Sequence, residues 1–301
     1  MKHLFIINPK AGSTNRTTAV INRIQSAMEG QSTEFEIYVT KSPMDAVSKI
    51  QYEASVAAGD LRVYACGGDG TLNECVNGAV GLANVLVTHY PTGTGNDFIK
   101  TFPEQERGFH SLKRLINGSE QSLDLISVNG RACINICSVG IDARIGTQVH
   151  NYSSGLSPGK LSYALSAAAN VTKGISMPAR VRTGSYTFQG DITLVCICNG
   201  GHYGGMFTPM PDAEPDDGLL DLLIVRKVSR LRFLMLIGSY ARGKYKSLEK
   251  YITHIRGTSM QIESDSEFAI NLDGELMTAK TASINIIPEG IRFIFPSDEP
   301  L

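Results

Sequence analysis

Up to about residue 125 the chain alternates short apolar runs with stretches of helical periodicity. Leu4 to Ile7, Phe35 to Val39, Leu61 to Ala65 and Ala83 to Thr88 are apolar or alternating segments of strand length. Between and after them, Ala19 to Met28, Met44 to Ala58, Leu72 to Val80 and Phe109 to Asn117 read as helices, with Leu72, Val76 and Val80 on one face. That alternation predicts an open, Rossmann-like parallel α/β sheet. Beyond residue 125 the rhythm changes. Cys133 to Val139, Ala179 to Thr183, Ile192 to Cys198, Leu219 to Val225, Ser259 to Ser264, Phe268 to Leu272 and Ala282 to Ile287 are strand-like runs at short intervals. They predict a mainly β, sandwich-like second domain, interrupted by helical patterns at Lys160 to Val171 and Arg230 to Leu248. The expected domains are therefore 1–125 and 126–289. The closing run Ile291 to Pro296 reads as a further strand.

Three of the strands in the first half end in turns of unusual composition. Cys66-Gly67-Gly68-Asp69-Gly70-Thr71-Leu72-Asn73-Glu74 joins a strand to a helix, so that bare backbone N–H groups and a helix N-terminus share one point, as a phosphate requires. The Asp inside it would repel a phosphate unless a metal ion or a proton mediates. Pro91-Thr92-Gly93-Thr94-Gly95-Asn96-Asp97 follows the next strand, and Asn8-Pro9-Lys10-Ala11-Gly12-Ser13 follows the first. Ligands of open α/β sheets collect beyond the carboxyl ends of the strands, so the three turns are expected to face one crevice holding a nucleotide and Mg²⁺. Neither a P-loop Gly-Lys-Ser/Thr nor a G-x-G-x-x-G spacing is present.

Composition narrows the picture further. The chain has 301 residues and a net charge of −1, which gives no general affinity for nucleic acid. It contains no run of eighteen apolar residues, and its opening Met1 to Ile7 is too short for a signal peptide. Six cysteines lack any C-x-x-C pairing, which disfavours zinc and suits a cytoplasmic protein.

The turn sequences, continued by Asn135-x-x-x-Val139-Gly140-Ile141-Asp142-Ala143, Asn199-Gly200-x-x-x-Gly204-Gly205, Pro211-x-Ala213-x-x-Asp216-Asp217-Gly218 and Asp273-Gly274-Glu275, resemble the diacylglycerol kinase catalytic domain family, in particular its soluble bacterial lipid-kinase branch. The resemblance implies the fold shared by NAD kinases and diacylglycerol kinases, with the strand near 290–301 returning to the first domain. It also implies transfer of the ATP γ-phosphate to a lipid hydroxyl at the inner membrane face, most simply diacylglycerol to phosphatidic acid. ATP would lie against Asn8, Pro9, Lys10, Ala11, Gly12, Thr40, Gly67, Gly68, Asp69, Gly70, Thr71, Leu72, Asn73, Thr94 and Asn96. Lys10 and Arg16 are the cations nearest these turns, available to phosphate or simply to solvent.

Asp69, Asp97 and Asp124 form the expected Mg²⁺ set. Asp273-Gly274 is a hairpin signal in its own right. By resemblance it also carries the carboxylate that accepts the proton of the substrate hydroxyl, either Asp273 or Glu275. A second, structural Mg²⁺ is implied at Glu214, Asp217 and Leu219. The segment Arg226 to Ile237 mixes four cations with a strongly apolar stretch, and Arg242, Lys244, Lys246 and Lys250 follow. Such a segment can lie on an anionic membrane surface, or pack on the sandwich with a solvated charged rim. Two other functions share parts of this pattern: an NAD kinase, which has the same Gly-Gly-Asp-Gly-Thr turn, and a non-catalytic nucleotide or lipid sensor. The pattern allows a homodimer through an exposed strand edge without requiring one.

Overall fold

A computed structural model of the chain describes residues 1–12, 16–141, 143 and 174–298. The helical pattern at 160–171 lies outside these residues, as does Asp142. The chain divides into two compact units, Met1–Asp124 with Pro288–Leu301, and Leu125–Ile287.

The first unit is a parallel sheet with strand order β2(Glu34–Val39), β1(Lys2–Ile7), β3(Leu61–Gly67), β4(Val85–Pro91). On the far side of β4 lies the end of β13(Glu275–Phe295), also parallel, with Arg292 opposite Leu86 and Phe293 opposite Val87. β5(Ser119–Val128) pairs with β13 in turn. β1, β3 and β4 are buried nearly throughout, as expected of strands covered on both faces. Helices α1(Thr17–Met28), α2(Asp45–Val56) and α3(Asp69–Ala79) connect them, α1 burying Val20, Ile24, Ala27 and Met28, and α3 burying Leu72, Cys75 and Val76. The pattern at 109–117 resolves into a 3₁₀ turn, Glu106–His110, followed by the short α4(Leu112–Ile116).

The returning strand is held by an aromatic cluster. Phe98 meets Phe293 edge-on at 5.6 Å, Phe102 meets Phe295 at 4.8 Å, and Phe109 packs against both partners. Thr88 donates its hydroxyl to the Ile294 carbonyl at 2.7 Å. Because β1 lies between β2 and β3, the chain leaves β1 and β3 toward opposite sides. The turns that follow these strands therefore open at a topological switch point.

The second unit is antiparallel. Its strands run β11(Ile252–Gly257), β10(Leu220–Arg226), β9(Tyr186–Cys198), β7(Ile136–Gly140), β12(Ser259–Leu272) and the first part of β13. β8(Met177–Thr183) bridges β9 at Tyr186 to Ile192 and β12 at Gln261 to Glu263. β9 and β12 thus each pair with β8 along one half and with β7 along the other. The strand halves enclose a sandwich-like core that includes Val139, Val181, Ile192, Ile197, Leu222, Ile262 and Ile270. A second core, including Leu194, Cys196, Leu223, Phe233 and Tyr240, is covered by helix α5(Arg230–Tyr240).

Several boundaries differ from those the sequence suggests. Ser259 to Ser264 and Phe268 to Leu272 are one strand, joined through a register shift between Glu263 and Phe268. The runs 282–287 and 291–295 are likewise one strand, β13. The run 133–139 is two, because β6(Arg131–Cys133) stops before β7 begins at Ile136. The basic helix ends at Tyr240, and a 3₁₀ turn, Tyr245–Leu248, follows.

Candidate functional site

The three turns of the first unit meet. After β3, the Gly67 carbonyl accepts from Thr92 N at 2.8 Å and Gly93 N at 3.1 Å, tying the second turn to the third. Asn8 N donates to the Cys66 carbonyl at 3.2 Å, and Asn8 Nδ2 donates to Thr71 Oγ1 at the same distance, which brings in the first turn. Lys10 N in turn donates to Asn8 Oδ1 at 2.9 Å, and Ala11 N to the Asn8 carbonyl at 3.1 Å, so Asn8, Pro9, Lys10 and Ala11 form a closed bend. Gly68 is the N-cap of α3, whose first helical bond runs from Leu72 N to the Gly68 carbonyl at 3.1 Å. The N–H groups of the first turn have no intrahelical partner and form an anion-seeking helix end.

Two glycines are required by close approach. A Cβ on Gly93 would overlap the Gly68 backbone, and one on Gly95 would lie 2.6 Å from Asp69 Oδ2. Asp69 and Asp97 adjoin: Asp97 N donates to Asp69 Oδ1 at 2.6 Å, and Lys100 Nζ holds Asp97 Oδ1 at 2.5 Å. Asn96, at φ +50°, fixes its amide by donating Nδ2 to the Gly93 carbonyl at 2.9 Å. Its Oδ1 is buried without a partner, an acceptor suited to a ligand hydroxyl or amine.

Other expected residues contribute less through their side chains. Leu72 is core and has only backbone to offer a ligand, and Asn73 is buried with Asn77 Nδ2 on its Oδ1 at 3.2 Å. Thr71 is buried under Asn8. Thr40 donates to the Ile7 carbonyl at 3.3 Å, and Thr94 is exposed. Lys10 and Arg16 are exposed. Asp124 is buried, with Oδ1 accepting from Glu289 N at 2.8 Å, which fastens it to β13. Among the described residues no three Asp, Glu, His or Cys side chains are grouped closely enough to hold a metal. Of the three expected carboxylates, Asp69 and Asp97 adjoin and Asp124 is engaged with β13.

In the second unit, Asp273 and Gly274 have φ +52° and +99°, and Leu272 pairs with Glu275 across the two-residue turn. The Asp273 carboxylate accepts from the backbone N–H groups of Ile134, Asn135 and Ile136 at 2.9–3.1 Å and lies 3.0 Å from Cys133 Sγ. This is the reason for the break between β6 and β7: residues 134–136 turn their amides to a carboxylate rather than to a neighbouring strand. Beneath it, Asn199 Nδ2 donates to the Ile134 carbonyl and Asn135 Nδ2 to the His202 carbonyl, both at 2.7 Å. Glu275 is exposed.

In the loop at 214–219 the Asp217 carboxylate has two protein partners. Asp217 Oδ1 accepts from Leu219 N at 2.9 Å, and its Oδ2 is engaged by the Arg256 guanidinium. Arg256 Nε also lies 3.6 Å from Asp221, whose Oδ1 meets His254 Nε2 at 2.6 Å. A guanidinium thus stands at Asp217, the one side-chain ligand expected there, whereas Glu214 and Leu219 were expected to offer main-chain oxygens. These residues do not fit a metal held by Asp217 while Arg256 stays in place.

Comparison with known proteins agrees with this division of the chain. The diacylglycerol kinase catalytic domain family matches residues 2–128, and the YegS C-terminal NAD kinase beta sandwich-like domain matches residues 135–295. The chain belongs to the family that joins these two domains. A Staphylococcus aureus (strain MRSA252) protein named "Putative lipid kinase" is 24% identical over 288 residues, covering 92% of each chain. A Bacillus anthracis str. Sterne structure titled as that of a "putative diacylglycerol kinase" superposes with a TM-score of 0.74 at 24% identity, covering 98% of this chain and 96% of the other. A second structure of that description gives 0.73 at 25% identity, with 98% and 97% covered.

For this family member, the pair Asp69 and Asp97 fits Mg²⁺, which binds proteins through one or two carboxylates and keeps waters and phosphate oxygens for the rest of its shell. Lys100, His89 and Arg256 carry no expected role in the sequence, and Asn135 and Asn199 enter it only as motif positions. Lys100 stands three residues after Asp97, a visible spacing. His89 is buried with Nε2 3.1 Å from the Gly67 carbonyl, and burial pushes its pKa down to about 4. Only the fold reveals that contact.

Proposed function

We propose that the protein is an ATP- and Mg²⁺-dependent lipid kinase that phosphorylates a lipid hydroxyl, diacylglycerol to phosphatidic acid being the leading case. The observation that carries the reading is the convergence of Asn8, Gly67–Gly68, Asp69 and Gly93–Asp97 at the carboxyl ends of three parallel strands. Phosphoryl transfer is mainly positioning and charge neutralisation, and this cluster supplies both. Backbone donors at the start of α3 and in the third turn bind the phosphates, and the Asn96 Oδ1 receives a hydroxyl or amine of the nucleotide. Mg²⁺, when bound, neutralises the charge on the transferring group. Asp69 and Asp97 would hold that cation, with Lys100 fixing the second carboxylate.

In the transfer the acceptor oxygen forms a bond to the γ-phosphorus as the bond to the β,γ-bridging oxygen breaks. The hydroxyl proton passes to a carboxylate and ADP leaves. Asp273 and Glu275 are the candidate proton acceptors. Asp273 is held by three backbone amides, whereas Glu275 is exposed.

The test is transfer of label from γ-labelled ATP, with Mg²⁺, into dispersed diacylglycerol, a total lipid extract and NAD. Wild type is expected to label a lipid, and Glu275→Gln or Asp69→Asn to reduce the rate by about 10²-fold or more. Label in NADP would move the protein to the NAD kinases. ATP binding without transfer to any acceptor would favour a sensor.

A further inference from the structure

We propose that the outward face of α5 is a docking surface for an anionic lipid bilayer. The helix is apolar on two sides. Phe233 and Tyr240 are buried and, with Leu236 and Ile237, pack on the core beneath. Leu231, Leu234 and Met235, spaced so as to share the opposite face, are 70, 54 and 63% exposed. An exposed trio of large apolar side chains at successive helical positions is what a water-facing helix ordinarily replaces with charge. Gly238 continues the stripe, and the Arg242 guanidinium lies 3.7 Å from the position of a Cβ there.

Charge selects the occupant. Between residues 226 and 250 the sequence has eight Lys or Arg and one acid, Glu249. Among them, Lys227 pairs with Asp191 at 2.6 Å, Lys246 pairs with Asp212 at 3.0 Å, and Arg226 lies over the Phe188 ring, 5.5 Å from its centroid. Arg232 spreads over the Tyr251 ring, 5.2 Å from its centroid, beside the apolar stripe. A second copy of the same face would set cations against cations, and a nucleic acid would leave the apolar trio uncovered. An anionic bilayer satisfies both parts, with headgroups on the basic rim and acyl chains on Leu231, Leu234 and Met235. At 11 residues α5 is too short to span, and among the described residues no helix is long and apolar enough to cross a membrane, so the contact is interfacial.

This surface extends the lipid-kinase reading, and rests on it for its purpose, but binding is read without ATP so that either can fail alone. The full chain is floated with phosphatidylcholine vesicles and with vesicles mixing phosphatidylcholine and phosphatidylglycerol. The expected result is salt-sensitive binding to the mixed vesicles only. The triple variant Leu231→Gln, Leu234→Gln, Met235→Gln, which keeps every charge, should weaken that binding by about tenfold or more. Its unfolding temperature and its transfer to detergent-dispersed acceptor should stay unchanged. A second readout does not depend on that variant folding: Leu234→Cys carries a polarity-sensitive dye, since all six native cysteines are buried. Its emission should shift to the blue on mixed vesicles. Wild-type binding to neither vesicle, equal binding by the triple variant, an unmoved dye, or a dimer abolished by the triple variant would each overturn the proposal.

Discussion

Asp273 illustrates how a side chain proposed for the chemistry can also brace the fold. Its carboxylate collects three amides from residues 134–136, so removing its charge leaves those donors unmatched. Asp273→Asn would turn either an NH₂ group or a weaker acceptor toward them. A loss of about 1–3 kcal/mol is expected, read as a lower midpoint in urea unfolding. Glu275→Gln, exposed, should leave that midpoint unchanged while lowering turnover. Kinetic defects at Asp273 therefore need the stability control before they are assigned to proton transfer. The Asp-Gly pair itself was legible in the sequence as a tight turn. Its amide partners, some 140 residues earlier in the chain, were not, because nothing local in Ile134, Asn135 or Ile136 marks them as donors to a distant carboxylate.

At the scale of elements, β10, β11 and the loop before them are cross-braced by Arg256. Asp221 faces Arg256 in the strand register, and Asp217 reaches the same guanidinium from the loop. Removing the guanidinium leaves two carboxylates close together with one cation fewer. Arg256→Ala should lower stability by about 1 kcal/mol, a modest figure because Arg256 is substantially exposed. Added Mg²⁺ or Ca²⁺ should restore part of the loss in the variant, whereas chelator should leave wild-type thermal unfolding unmoved. A wild type that melts several degrees lower in chelator would show that a metal displaces Arg256. From sequence, the acidic turn and the strand after it were visible. The arginine that answers them, 39 residues on, became visible only through strand pairing.

For the whole molecule, acid sensitivity follows from two buried histidines in the first unit. Burial lowers the pKa of His3 from 6.5 to about 4, with Arg62 adding to the effect, and lowers His89 from 6.5 to about 4 despite its contact with Gly67. Each is neutral when folded and takes a proton near 6.5 when unfolded. Their contribution is therefore complete above pH 6.5 and is lost as pH falls toward 4. Glu53 and Glu36 act in the same direction at lower pH. Burial would raise both, but hydrogen bonds from Lys2 and Lys49 hold them below the usual carboxylate range. Unfolding free energy should fall by a few kcal/mol, on the order of 2–4, between pH 7 and pH 4.5, read by denaturant titration at each pH. His89→Gln should flatten that slope if it folds. A pH-independent midpoint over this range would contradict the buried, neutral state of both rings.

The sequence by itself determined the alternation of strands and helices that makes the first unit a parallel sheet, the shift to a β-rich second unit, and the three glycine turns at strand ends. These are local properties: hydrophobic period, turn chemistry and helix starts are written within a dozen residues. Tertiary structure decided what those pieces meet. It joined the three turns through Gly67, Asn8 and the Asp69–Asp97 contact, placed Asp124 against β13, and gave Asp217 to Arg256. It also carried 275–295 through as one strand, paired with β12 over its first half and with β4 near its end, although Glu289 takes a left-handed φ of +49° between the two. Such contacts depend on strand order and register, which link residues far apart in the chain and leave no periodic trace along it.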